Sequence, residues 1–556
     1  MSSNDGHYPE FASFDLITTW LEDCLKNHAL CRSKASPPLP IRVIDVLSRD
    51  EPFLKESNGA CGDYLALTYC WGRLRDMNMM TFGPNSKGKS GLLDPEINVD
   101  LHKNGIPFSS MPKSIQDAVT LCRRLGFKYI WIDALCIVQG DEEEWKRESP
   151  KMADVYANAR LTIAADSADG VEKGFLDMHA FATPYKELFF QRRPIHIRKR
   201  IFPEEHVRAP ERTCPSSITW NEPLNSRAWA LAEVIFSNRC LHYTSLEMVW
   251  ECNEVRYCEC GHSQDLQEND EDSFRIFRNM TLAERSSKLA MYRKWDTVVQ
   301  QFTRRQINNH PGRTDRDSQR LLALSRVARR FSDILRDVFH LEDEYVAGIW
   351  KGDLVRSLLW SIEKGFQLDH RNIHVQWRRP EIPRAPTWSW AAIEGPVFFE
   401  PLRNFIHDLQ IKEVSVRHSD ESDKFGQVIS GKLVVHGPVV HGLDVLLEEH
   451  LTTDRYGAHK CKVSGFGFRE SSLFIFDVPL TQTELNQEFS CLYLGKGEGE
   501  EHVVTESRTY NRILLLRSVA GATNTFERAG ISSVYTSDDV LDGFLETARL
   551  EWITIV

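Results

Sequence analysis

The spacing of apolar residues changes several times along the chain, and each change marks an element. Ile17, Trp20, Leu21, Cys24 and Leu25 share one helical face between Phe14 and Leu25, which predicts an entry helix. The segment Ser36 to Pro40 then breaks the chain before a strand-like Ile41 to Val46. Tyr64 to Tyr69 is apolar throughout, too short and too close to Gly62 and Gly72 for a helix, and predicts a second strand. After Met111 a helical period takes over. Ile115, Ala118, Val119, Cys122 and Leu125 form the stripe, Pro112 suits a first turn, and Gly126 sits where a helix stops. A strand over Tyr129 to Asp133, a helix over Glu142 to Ala157 and a strand over Leu161 to Ala165 follow. Glu142, Glu143 and Glu144 favour a helix N-terminus, where their charge meets the positive end of the dipole. Pro150 must kink or divide that helix unless the helix begins there. Strand and helix alternate, which implies a parallel sheet with right-handed crossovers.

A third apolar helix is expected over Arg227 to Phe236, with short strands at Leu241 to Thr244 and Met248 to Glu251. The acidic, Gln-rich Ser263 to Ser273 has the composition of a linker. Beyond it lie two helical stripes, Leu289, Tyr292, Trp295, Val299 and Phe302, then Leu324, Val327, Ala328, Phe331 and Leu335. After Pro386 the apolar runs become short and β-like, as at Leu433 to Val435, Leu473 to Phe476, Leu492 to Leu494 and Ile513 to Leu516. The expected organisation is an entry helix and loop (1–40), an α/β domain (41–262), an acidic linker with a helical segment (263–385) and a small β-rich C-terminal unit (386–556).

Composition narrows the function classes. A chain of 556 residues exceeds what one hydrophobic core supports, and 42% hydrophobic residues with 14 tryptophans describe a folded protein. A net charge of −11 removes the electrostatic footprint of a dedicated nucleic-acid binder. No uncharged apolar run reaches bilayer-spanning length, and the polar, acidic Met1 to Glu10 is unlike a signal peptide. Thirteen cysteines, many inside apolar segments, point to reduced thiols and hence to the cytoplasm.

Several motifs invite chemistry. Gly83 to Ser90 (GPNSKGKS) matches a phosphate-cradling loop, but Pro95 and the missing helical stripe after Ser90 deny it the helix whose amides would hold phosphate. Gly495, Gly497 and Gly499 lie among glutamates that repel phosphate. Cys252, Cys258, Cys260 and His262 are enough ligands for zinc, yet they contain no C-x-x-C pair, and partly buried free thiols remain the competing reading. Glu233 lies four residues after Trp229 on an apolar helix, so it is either an ion-paired structural acid or a catalytic one. Asp133 ends a strand, where ligands of open α/β sheets bind; its bland role is capping. Cys136 is a candidate nucleophile without a Cys-His signature around it, and otherwise a small buried apolar residue.

Taken together, YLALTYCWG (Tyr64 to Gly72), MPKSIQDAVTLCRRLGFKYIWIDALCIVQGDEEEW (Met111 to Trp145) with MADVYANARLTIAA (Met152 to Ala165), and PLNSRAWALAEVIFSNRCLHY (Pro223 to Tyr243) resemble, in order, the three blocks of the fungal heterokaryon-incompatibility (HET) domain. The third block departs from the usual pattern in having Ala232, not Gln, before Glu233. The resemblance implies a fold similar to TIR domains and a cytoplasmic fungal protein of self/non-self recognition that triggers programmed cell death. By analogy with TIR domains it implies NAD as a substrate rather than a bound cofactor, with Glu233 and Asp133 as catalytic residues. Tyr69, Trp71, Gly72, Cys136, Gln139, Arg227 and Trp229 are then expected to line the substrate site. A protein partner or homo-oligomer is expected for activation, and a small-molecule nucleotide as ligand. The alternatives are a non-catalytic signalling or scaffold protein, and a small-molecule enzyme recruited into a metabolic pathway; fold alone does not choose among them.

Overall fold

The alternating pattern folds into a mixed sheet. The computed structural model describes residues 10–31, 36–72, 80–86, 97–177, 186–190, 193–197, 222–245, 247–259, 263–265, 287–305, 319–363, 377–446, 460–464, 473–499, 509–532 and 544–556. Two compact units emerge, Met1–Thr281 with Asn308–Thr314, and Leu282–Ile307 with Asp315–Val556.

In the first unit α1 (Glu10–Asn27) precedes β1 (Arg42–Asp45), β2 (Phe53–Glu56) and β3 (Tyr64–Thr68). Then come α2 (Val99–Asn104), α3 (Lys113–Arg124), β4 (Tyr129–Trp131), the short α4 (Asp133–Cys136), α5 (Glu142–Glu148), α6 (Met152–Asn158) and β5 (Leu161–Ala164). A separate hairpin, β6 (Lys186–Phe190) and β7 (Arg193–Ile197), is followed by α7 (Ala228–Phe236), β8 (Arg239–Tyr243), β9 (Met248–Cys252), β10 (Val255–Cys258) and β11 (Ser263–Asp265).

Among the described residues the main sheet runs β11-β10-β9-β8-β5-β3-β4-β1-β2. Its centre is parallel: Leu65 of β3 stands opposite Ile130 of β4 and Leu161 of β5, and Ile163 of β5 opposite Leu241 of β8. The expected all-parallel sheet is corrected at both flanks. β1 and β2 on one side and β9 to β11 on the other are antiparallel, because tight connections such as Asn253 and Glu254 between β9 and β10 can only reverse the chain. The linker expected from Ser263 is also corrected at its start, since Ser263–Asp265 pairs with Val255 to Tyr257 as the edge strand; 266–273 lie outside the described residues.

Every residue of β3, β5 and β8 is buried, which is why these strands read as unbroken apolar runs. α3 buries Ile115, Ala118, Val119, Leu121 and Cys122, each larger aliphatic contributing roughly 1.5–3 kcal/mol. α3 ends before Gly126, whose φ of +75° favours a residue without a Cβ. Asp141 caps α5 by accepting from the Glu143 and Glu144 amides, both at 3.0 Å, and the three glutamates fill the first turn as their charge requires. Pro150 does divide the second helix: it sits in the 3-10 turn Ser149–Lys151 between α5 and α6.

Nine of the described cysteines are free, and of these only Cys61 is exposed. Cys258 is disulfide-bonded, an exception to the expected reduced thiols that withdraws its sulfur from the Cys252, Cys258, Cys260 and His262 set; Cys260 and His262 lie outside the described residues. No described helix is long and apolar enough to cross a membrane.

The second unit begins with α8 (Lys288–Thr303) and α9 (Gln319–Phe339), the two helices whose stripes were legible. Trp295, Phe331, Tyr345 and Trp350 pack together, with ring centroids 4.9–5.7 Å apart. The indoles of Trp295 and Trp390 both donate to the Gly348 carbonyl, at 3.0 and 2.9 Å. Gly348 itself has φ +94°, and a Cβ there would stand 2.7 Å from the Trp390 ring.

Among the described residues the C-terminal strands then close a ring. Val428–Leu446 pairs with Phe489–Gly499, which continues through Thr509–Ser518, Thr525–Ser532, Leu473–Phe476 and Lys460–Ser464 back to Val428–Leu446. Closure removes sheet edges, and Phe474, Phe476, Phe489, Leu515 and Phe544 fill the core. The triple-glycine segment is simply the end of Phe489–Gly499, paired antiparallel with Thr509–Ser518.

Candidate functional site

Parallel strands present their carboxyl ends on one edge of the sheet, and polar side chains gather there because the next segments leave the apolar layers. Thr68 ends β3, Asp133 follows β4 by two residues and Asp166 follows β5 by two. α7 is apolar nearly all round, burying Ala228, Ala230, Leu231, Val234 and Ile235, and carries Glu233 as its one acid.

Glu233 Oε2 accepts a 2.5 Å hydrogen bond from Thr68 Oγ1. Asp133 Oδ2 accepts from Trp71 Nε1 at 2.9 Å, and its Oδ1 from the amide of Ala134 at 2.7 Å. Burial, then the charge of Glu233, push the Asp133 carboxyl up to about 6, against the opposing pull of those two donors and of Arg227. The two acids therefore share one field, and Asp133 can exchange a proton near neutrality.

Two buried phenols border the acids. Burial and the charges of Asp133 and Glu233 keep Tyr69 well above the usual phenol range. Tyr156, held protonated by burial and by the same two acids, donates to the Leu67 carbonyl at 3.2 Å. Arg227 Nη1 donates to the Tyr69 carbonyl at 2.7 Å, tying the start of α7 to the end of β3. Gly72, with φ +74°, turns the chain after Trp71. Trp229 lies one turn before Glu233 on α7 and is half-buried.

Glu233, Asp133, Tyr69, Trp71 and Arg227 are thus brought together by contact or charge. Cys136 faces a different cavity, and Gln139 meets the group only at the Asp133 backbone. The Cys136 thiol accepts from the Ile132 amide at 3.5 Å and lines a cavity of about 180 Å³ with Tyr64, Met152 and Val155; burial pushes it up to about 12, so it is a thiol rather than a thiolate. The Gln139 amide donates to the Asp133 and Ile137 carbonyls at 3.2 and 3.0 Å. Its own backbone holds the chain around Thr81 and Ser86. The start of the phosphate-loop look-alike is there a turn closed by Ser86 on Gly83, and Lys87 to Ser90 lie outside the described residues.

Sequence reasoning missed Thr68 and Tyr156, which touch or border Glu233, and a buried pair formed by β8 and the segment after β5. His242 Nδ1 and Asp166 Oδ2 stand 2.7 Å apart. Burial opposes charge on that ring, but Cys240 and Asp166 outweigh it and raise the His242 pKa well above the usual histidine range. A polar residue at or next to the end of an apolar strand was the available signal for Thr68 and His242; nothing in the spacing joins either to its partner.

Residues 64–233 match the family model described as Heterokaryon incompatibility protein (HET), a span that opens on β3 and closes on Glu233. No curated protein and no solved structure matches the chain.

Proposed function

The chain carries a HET domain over residues 64–233, which points to a heterokaryon-incompatibility function, and from that premise we propose that the domain cleaves NAD at the nicotinamide–ribose bond as a trigger of programmed cell death. The fold analogy behind this reading is to TIR domains. The observation that carries it is that Glu233 and Asp133 lie within one another's field at the carboxyl edge of the parallel strands, one acid held by Thr68 and the other pushed up to about 6.

Breaking that bond builds oxocarbenium-like charge on the ribose, which a carboxylate in a water-poor setting stabilises. Glu233 takes that role. Asp133, able to exchange a proton near neutrality, serves the water that completes hydrolysis. Trp71 and Trp229 offer flat faces for an aromatic ring, and Arg227 a cation for phosphate. Incubating the purified full chain with NAD and following free nicotinamide tests the reading. Nicotinamide released in proportion to protein supports it, and intact NAD at high protein concentration rejects it.

A further inference from the structure

Away from that edge, three side chains at the end of α1 and a fourth from far along the chain converge at the side of the sheet where α1 packs. Cys24 lies in the last turn of α1, His28 just after it, Cys31 ends the 3-10 turn Ala29–Cys31, and Cys252 ends β9. Their ligand atoms all lie within 4.8 Å of one another, all four residues are buried, and the three cysteines are free. We propose that Cys24, His28, Cys31 and Cys252 form a closed structural zinc site that clamps the N-terminal helix to the sheet.

The donor set fits zinc first by geometry. A tetrahedral ion with Zn–S near 2.3 Å holds its ligand atoms about 3.8 Å apart, within the 4.8 Å that bounds the spacing here. His28 Nδ1 already stands 3.3 Å from Cys252 Sγ. Four protein ligands complete the tetrahedron and all are buried, so no position opens to substrate and the role is structural. Thiolates with one imidazole select a soft or borderline ion over magnesium or calcium.

The surroundings are those a thiolate–metal centre needs. The second ring nitrogen of His28 faces Asp23 Oδ2 at 3.5 Å, the carboxylate–histidine arrangement that fixes a ligating ring. Amides of Glu254 and Val255 point at Cys252 Sγ from 3.5 and 3.4 Å. Arg239, itself buried, donates to Cys24 Sγ at 3.2 Å and to the Cys31 carbonyl. Zn²⁺ with three thiolates and a neutral imidazole carries one negative charge, and the Arg239 guanidinium balances it. Metal uptake releases the three thiol protons to solvent, with no change of oxidation state. The same junction is closed by Leu30 donating to Glu254, Asn253 donating to the Leu30 carbonyl, and Trp20 stacked on Tyr257.

The test uses the full chain, expressed with added zinc and purified without chelator. Elemental analysis should find about one zinc per chain, and X-ray absorption a shell of about three sulfurs and one nitrogen. Stripping the metal with excess chelator under reducing conditions, then removing the chelator, should lower the thermal midpoint, and added zinc should restore it. Cys252→Ser and Cys24→Ser should lose most of the zinc, while Cys61→Ser, at the exposed cysteine, keeps it. Should the serine variants fail to fold, the wild-type stoichiometry and absorption shell decide. Metal-free wild type that added zinc does not stabilise, a shell without sulfur, or full zinc retention in folded Cys252→Ser would each overturn the proposal.

Discussion

Thr68 Oγ1 and Glu233 Oε2 lie 2.5 Å apart, joining the end of β3 to the middle of α7 across 165 positions of chain. Thr68 is buried, so its hydroxyl is a fixed donor rather than a rotor in water, and it holds the carboxylate in one orientation.

Replacing Thr68 with valine keeps the shape and removes the donor. We expect Thr68→Val to destabilise the protein by about 1–3 kcal/mol, because a carboxylate loses its charge-assisted bond where water replaces it poorly. Denaturant unfolding measures this, and an unchanged midpoint would show that the contact contributes nothing.

Asp133 gives a pH-dependent prediction. Its folded carboxyl, pushed up to about 6 by burial and by Glu233, binds a proton more tightly than the unfolded chain does at about 3.9. Asp133 is therefore least unfavourable below about pH 4, and its cost grows as pH rises through 6. Asp133→Asn does not titrate. Its stability relative to wild type should rise by on the order of 1–3 kcal/mol between pH 4 and pH 7. Urea midpoints of both proteins across that range test the sign, and a flat difference contradicts it.

In the second unit Arg528 is fully buried, pairs with Asp477 at 2.8 Å and lies 3.5 Å over the Trp360 ring. Arg528→Met leaves Asp477 buried without its partner and should cost about 3–5 kcal/mol. Adding Asp477→Leu should restore part of that loss, since the penalty lies in the stranded charge. Thermal unfolding of the single and double variants compares them, and a double variant no better than the single refutes this account.

What the sequence revealed and what it concealed follow from range. The α3 stripe and the runs at Tyr64–Thr68 and Leu161–Ala164 were legible because burial imposes a local period. β2 was not, since Lys55 and Glu56 break its apolar pattern and its pairing with β1 fixes it. Glu233 and Asp133 stood out as acids in apolar settings, but Thr68 beside Glu233 needed the fold. Cys24 in the sequence is only one more apolar residue of the α1 face. The nearby His28 and Cys31 acquire meaning only when Cys252, 224 positions from His28, is brought beside them.

The central claim is that Glu233 supplies the charge on which the chemistry depends, and Glu233→Gln tests it most directly. Glutamine keeps the size and an oxygen for Thr68 to bond, and removes the charge. Nicotinamide release from NAD should fall by at least about 10²-fold in Glu233→Gln, with the unfolding midpoint close to that of wild type. A folded Glu233→Gln protein that releases nicotinamide at the wild-type rate would contradict the account.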